Sequence, residues 1–259
     1  YTHTHPHTYI LNAMSKPVSL LPTSLPTPVL TFLKWQEATT GRDKVLRLVA
    51  YFSKYVIHVM KNNDISPDWQ KRLASGASSI GTSRKIMRFF RALEYTNEFL
   101  KAFTVKDEVE KYLAIWKAFW LAVWMAMDHI QWLQKAGYIK LADLKKIDEY
   151  HSKGWFFGLA AGFIISAYKF KQAVDENKAA RAQLRAASND PAKMVAIDKT
   201  LKAGDEKRNK QLMGMIKNGV DIILPAGRLG WLPVSDGTMG IAGTITSIIG
   251  IRDTWPSSK

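Results

Sequence analysis

The sequence predicts an all-α protein, a helical integral membrane protein in which amphipathic N-terminal helices lead into a helical membrane bundle. Three observations carry that expectation. Apolar residues recur at three- and four-residue intervals, the period of one helix face. Four apolar stretches occupy the second half, at 112–133, 155–168, 212–232 and 237–251. Hydrophobic residues make up 47% of the chain against 23% charged, and the nine tryptophans suit a membrane interface, where an apolar ring with one polar edge sits well.

The chain divides into three parts. Residues 1–34 contain Pro6, Pro17, Pro22, Pro26 and Pro28 without helical period, and read as a flexible Pro/His-rich tail. Residues 35–111 read as a basic amphipathic helical region at a membrane surface. Residues 112–259 read as the membrane-embedded region, interrupted by a polar helical connector at 169–211 that breaks at Ser188-Asn189-Asp190-Pro191.

Within the second part a helix is expected over 41–61, where Val45, Leu48, Val49, Phe52, Val56 and Val59 form one stripe opposite Arg47, Lys54 and His58. The next starts at Ser66-Pro67-Asp68: Ser caps, Pro suits the first turn and Asp complements the positive helix end. The Gly/Ser stretch Ser75–Ser83 lacks the lysine of a phosphate loop and reads as a hinge or loose helical turn, open to phosphorylation at its serines. A single helix is then expected over 84–103. Ile86, Phe89, Phe90, Leu93 and Leu100 share one side, and Arg84, Arg88 and Arg91 cluster nearly opposite with Lys85 at the flank. Bulky aromatics against arginines describe a helix lying in the headgroup layer. Four basic residues contribute about 4 kcal/mol near an anionic surface at roughly 1 kcal/mol each. Residues 84–91 and Leu93 are therefore the candidate lipid-binding set, leaving aside Met87.

Each of the four apolar stretches is shorter than the roughly 20 residues of a membrane crossing, or is interrupted by charge. The uncharged stretches 155–168 and 237–251 are the expected membrane segments. Asp128 and Asp221, inside the other two, need partners or a wet cavity. Gly154, Gly158 and Gly162 repeat every four residues, and Gly240, Gly243 and Ser247 mark a second small-residue face. Faces of this kind let helices approach closely and are the candidate self-association surfaces. If all four stretches span, the lysines and arginines of 169–211 and of the region before 112 lie on one side with both termini.

The run Thr40-Gly41-Arg42-Asp43-Lys44-Val45-Leu46-Arg47 with Tyr51-Phe52 resembles the opening signature of the peroxin-11 family of peroxisomal membrane proteins. Ser83-Arg84-Lys85, Arg88-Phe89 and Leu93-Glu94 resemble that family's amphipathic helix, and Gly237–Gly250 its glycine-rich C-terminal segment. The resemblance extends from about Trp35 to Trp255. It implies a peroxisomal location with cytosolic termini, elongation of the membrane before division, and self-association. It also implies action beside a dynamin-type GTPase and its tail-anchored fission adaptors.

The net charge of +15 calls for an anionic partner. Anionic membrane lipid fits the apolar stretches, whereas nucleic acid leaves 155–168 and 237–251 unexplained. No enzyme is expected, because His58, His129 and His151 lie far apart and match no metal or triad spacing. Without cysteine there is no disulfide or thiolate site, and no cofactor or metal is expected. The favoured reading is membrane elongation through helix insertion and self-association. The alternative is a pore or channel for small metabolites, with Lys117, Asp128 and Asp221 lining a polar path.

Overall fold

The computed structural model describes residues 27–186 and 190–256, and all regular structure among them is helical. Eight helices follow one another: α1 (Thr27–Glu37), α2 (Thr39–Asn62), α3 (Pro67–Met87), α4 (Arg91–Ala102), α5 (Glu108–Lys135), α6 (Leu144–Ala186), α7 (Pro191–Arg228) and α8 (Asp236–Thr254). The expected tail lies outside the described residues up to Pro26. From Thr27 the chain is helical instead, because Trp35 is buried against Trp255, with ring centroids 5.2 Å apart.

Six helices close into a ring. α5 packs on α6, α6 on α7, α7 on α8, α8 on α2, α2 on α3, and α3 returns to α5. Neighbours run antiparallel. Gln131 bonds Asp148 and Trp124 bonds His151 between α5 and α6, while Gly162 meets Asn218 and Gly214 meets Ser166 between α6 and α7. Gly237, Gly240 and Gly243 of α8 meet His58, Tyr55 and Tyr51 of α2 in descending order. α2, α5 and α7 therefore point the same way. α4 lies outside the ring against α5, and α6 with α7 extends beyond it as a hairpin.

Several ends follow local rules. Pro67 and Asp68 occupy the first turn of α3, although Ser66 makes no side-chain cap. Asp107, Asp190 and Ser235 cap α5, α7 and α8 by accepting from the backbone N–H three residues on. The connector break expected at 188–191 coincides with the α6–α7 turn, of which 187–189 lie outside the described residues.

Three expectations are corrected. Of the two readings of 75–83, hinge or helical turn, only the helical one holds, since the stretch is the middle of α3. Thr82 and Ser83 turn their hydroxyls back to the carbonyls of Ser78 and Ser79, and packing on α2 and α5 outweighs the weak helix propensity of glycine and serine. The single helix expected over 84–103 is two, divided at Arg88–Phe90, where Phe90 adopts a left-handed φ of 69°. The turn seats the Phe89 ring between His129 and Trp132, at 4.6 and 5.6 Å. Finally, among the described residues no helix is long and apolar enough to cross a membrane. The apolar run 155–168 is the short centre of a helix flanked by Lys153 and Lys169. α8 is rich in glycine and threonine and ends in Arg252 and Asp253.

Candidate functional site

The amphipathic stripes point outward. Val49, Phe52 and Val59 of α2 are exposed, as are Val109, Tyr112, Trp116 and Phe119 of α5 and Ile241, Ile245 and Ile248 of α8. Inside the ring lie Asp43, Arg47, Arg84, Asp128, His151, Asp221, Thr246 and Ser247, all buried. Charged groups leave water only when paired, and each of these carboxylates has its cation.

Arg47 Nη2 donates to Asp221 Oδ1 at 2.6 Å and to Thr246 Oγ1 at 3.1 Å, and the Thr246 hydroxyl donates to the same carboxylate oxygen. This network joins α2, α7 and α8. Arg84 Nε donates to Asp43 Oδ1 at 2.9 Å and ties α3 to α2. At the closing seam, Asp128 of α5 accepts from Lys85 Nζ at 2.7 Å and Arg88 Nη2 at 2.9 Å, and His151 Nε2 lies 3.3 Å away. Lys85 also bonds Gln131, and Lys135 bonds Thr82 and Ser78 across the same seam. Burial alone would raise the Asp128 carboxyl. The charges of Arg88 and Lys85 outweigh burial and hold it well below the usual carboxylate range. Burial pushes His151 down to about 4 despite Asp128, so the ring is neutral at pH 7 and its Nε2 accepts from the Trp124 indole N–H at 3.0 Å.

A cavity of about 510 Å³ occupies the ring, lined from α2, α3, α4, α5, α6 and α7. Ten lysines and arginines border it against four carboxylates. Lys44 is pushed down to about 8, first by burial and then by the like charges of Arg47 and Lys217. Arg88 Nε is buried without a hydrogen-bond partner among the described residues.

The residues singled out in the sequence separate into two sets. Arg84, Lys85 and Arg88 turn into the ring and line the cavity, with Arg84 buried. Arg91 also borders the cavity, half-buried and paired with Glu94 at 3.3 Å. Ile86, Phe90 and Leu93 are exposed, with Leu100 and Phe103 beyond them. Phe89 is held against α5. The glycines sit at close helix crossings within the chain. A Cβ on Gly154 would come 2.8 Å from the Trp124 nitrogen and 2.9 Å from the Trp120 carbonyl. Gly158 faces the Leu121 side chain and Gly162 that of Asn218. A Cβ on Gly240 would lie 2.6 Å from the Tyr55 nitrogen, and Gly243 faces the Tyr51 ring. A second copy could reach these faces only in place of α5, α7 or α2. The sequence reading left Asp43 and Arg47 out of the candidate site. The signal that pointed to the network was the pair of aspartates interrupting apolar stretches, Asp128 and Asp221.

Paired charges buried inside a helical ring, with exposed apolar stripes on its outer faces, define an all-helical protein with a charged interior network. The chain belongs to the peroxisomal biogenesis factor 11 (PEX11) family, whose model matches residues 29–255. Peroxisomal membrane protein PMP30B of Candida boidinii is 27% identical over 246 residues, covering 90% of this chain and 96% of that one. The peroxisomal membrane protein 11 homolog of Dictyostelium discoideum is 25% identical, over 87% of this chain and 94% of its own. Human peroxisomal membrane protein 11B is 18% identical, over 85% and 94%. No solved structure matches the chain.

Proposed function

We propose that this chain is a peroxisomal membrane protein that elongates and remodels the membrane, promoting peroxisome proliferation and fission. Family membership and the names of the relatives support the location and the broad role. The observation that carries the mechanism is the exposed apolar edge of the α3–α4 corner, Ile86, Phe90, Leu93, Leu100 and Phe103. These side chains enter the acyl boundary of one leaflet, with Arg91 at the level of anionic headgroups. Inserted area in one leaflet favours positive curvature, more so when copies gather. Self-association proceeds through the outer stripes, such as Ile241, Ile245 and Ile248. A dynamin-type GTPase with its tail-anchored adaptors then acts on the narrowed membrane. In this reading Arg84, Lys85 and Arg88 contribute by shaping the corner, since their charges are satisfied inside.

The test is tubulation of anionic vesicles by the purified full chain. Replacing Phe90, Leu93 and Leu100 by serine removes about 1.5–3 kcal/mol of apolar transfer per side chain, and tubulation is expected to cease while the helix content stays. Unchanged tubulation by a folded triple variant sinks the wedge. The cavity supports a second reading, a path for small metabolites, which predicts conductance in planar bilayers that changes on Lys117→Glu.

A further inference from the structure

The cations around the cavity exceed what its carboxylates can neutralise. Arg47, Arg84, Lys85 and Arg88 have partners, as described above. Lys44 and Lys117 line the cavity without an ion pair or hydrogen bond among the described residues, and Lys217 is paired only with the half-exposed Asp253, at 3.0 Å. The three lysines stand on α2, α5 and α7, the helices that run in one direction. Each precedes by one turn a residue lining the cavity's centre: Lys44 before Arg47, Lys117 before Leu121, Lys217 before Asp221. Residues three or four apart share a helix face, so the three ammonium groups gather toward one end of the ring. The network next to them, Arg47 with Asp221 and Thr246, is internally satisfied, and beyond the paired Asp43 and Asp128 the one further carboxylate of the lining is the exposed Glu98 of α4.

We propose that this end of the cavity binds a phosphate-class polyanion, held between Lys44, Lys117 and Lys217. Lysines meet phosphate as rotatable point charges and need no planar fork, which suits a tetrahedral oxyanion approached from three helices. A cavity of about 510 Å³ holds far more than a single halide. Lys44 has its basicity lowered first by burial and then by the like charges of Arg47 and Lys217, and a bound anion would offset that second effect. The same chemistry is presented by a soluble diphosphate and by a phosphomonoester lipid headgroup. The inference stands apart from the remodelling activity and does not depend on it.

The test uses the purified full chain in neutral detergent micelles, read by thermal unfolding and titration calorimetry. One arm adds sodium pyrophosphate, a second dopes the micelles with phosphatidic acid, and the controls are sodium chloride at equal ionic strength and phosphatidylcholine. A rise in Tm with pyrophosphate alone assigns the site to a soluble anion, and a rise with phosphatidic acid alone assigns it to a headgroup. Either supports the proposal. The Lys44→Met/Lys117→Met variant is expected to unfold no earlier than the parent without ligand, because two unpaired ammonium groups are gone. It should bind at least about tenfold more weakly per lysine removed. Lys44→Arg with Lys117→Arg should keep binding, and this pair decides the matter if the methionine variant does not fold. Equal shifts from chloride, or undiminished binding by the methionine variant, overturn the proposal.

Discussion

The ring and the hairpin that extends from it use opposite amphipathic senses. In the hairpin, residues 169–186 of α6 and 191–211 of α7 bury Ala173, Asn177 and Ala180 and show water their charges. Lys207 pairs with Glu176 at 2.9 Å, Lys202 with Asp198 at 2.7 Å and Arg208 with Asp205 at 2.9 Å. In the ring, paired charges are buried beside Tyr51, Trp155 and Leu224, and many valines, isoleucines, phenylalanines and tryptophans are exposed. Water is a good neighbour for the hairpin and a poor one for the ring. The same α6 and α7 serve both regions, and the amphipathic sense changes along them.

That contrast is open to direct attack, beginning at Asp128. Asp128→Asn leaves Lys85 and Arg88 without their counter-charge and is expected to cost about 3–5 kcal/mol in denaturant unfolding of the full chain. In the hairpin, Asp198→Asn removes an exposed pair and should cost no more than about 0.5 kcal/mol. Comparable losses at the two sites would erase the distinction between the regions.

Glycine gives the next largest difference. Gly154→Ala drives a methyl group into the α5 backbone and should destabilise by about 2–3 kcal/mol. Gly76→Ala, in the helical interior of α3 with open space around it, should stabilise by about 0.5–1 kcal/mol. Thermal unfolding of the two variants gives opposite signs if the helix crossings are as close as they stand here.

The pH dependence follows from Lys44, whose folded value of about 8 lies below the 10.5 of an unstructured lysine. Between these values the unfolded chain holds the proton more tightly. Stability contributed by the neutral amine is therefore complete above about pH 10.5, and it is lost as pH falls through that window to 8. Raising the pH from 8 to 10.5 should stabilise the parent by about 2 kcal/mol more than Lys44→Met, the full shift being discounted for partial exposure. Parallel pH curves for the two would remove Lys44 from the excess charge of the cavity.

The smallest effect is at Phe90. Glycine accepts a φ of 69° without the steric cost borne by phenylalanine, so Phe90→Gly should stabilise the fold by about 1 kcal/mol. The same change should weaken vesicle binding. Gains in both would mean that the exposed ring does not enter the bilayer.

Much of this architecture was legible in the residues, because helical period, caps and breaks are local. The helix expected at 41–61 is α2, the apolar stretches 112–133, 155–168 and 237–251 are the centres of α5, α6 and α8, and 212–232 is the C-terminal part of α7 with the turn after it. The sense of each stripe was not legible. A helical wheel separates Arg84, Arg88 and Arg91 from Phe90 and Leu93, yet it says nothing about which side meets the neighbours. That is decided by Asp43, 41 residues before Arg84, and by Asp128, 40 residues after Arg88. The division at Arg88–Phe90 was hidden for the same reason, since the pocket for the Phe89 ring is built from α5. The aspartates breaking the apolar stretches were the one long-range clue, and both met the partners their burial requires.

The bond from Arg47 to Thr246 has a consequence in time. The two residues are 199 positions apart, and a ribosome adds roughly 5–20 residues per second. For roughly 10–40 seconds after Arg47 is made, the helix that completes its network does not exist. Until then α2 carries a naked guanidinium on one face and a bare valine and phenylalanine stripe on the other. The ring can therefore close only once α8 has been made, and until then both faces of α2 lack their partners.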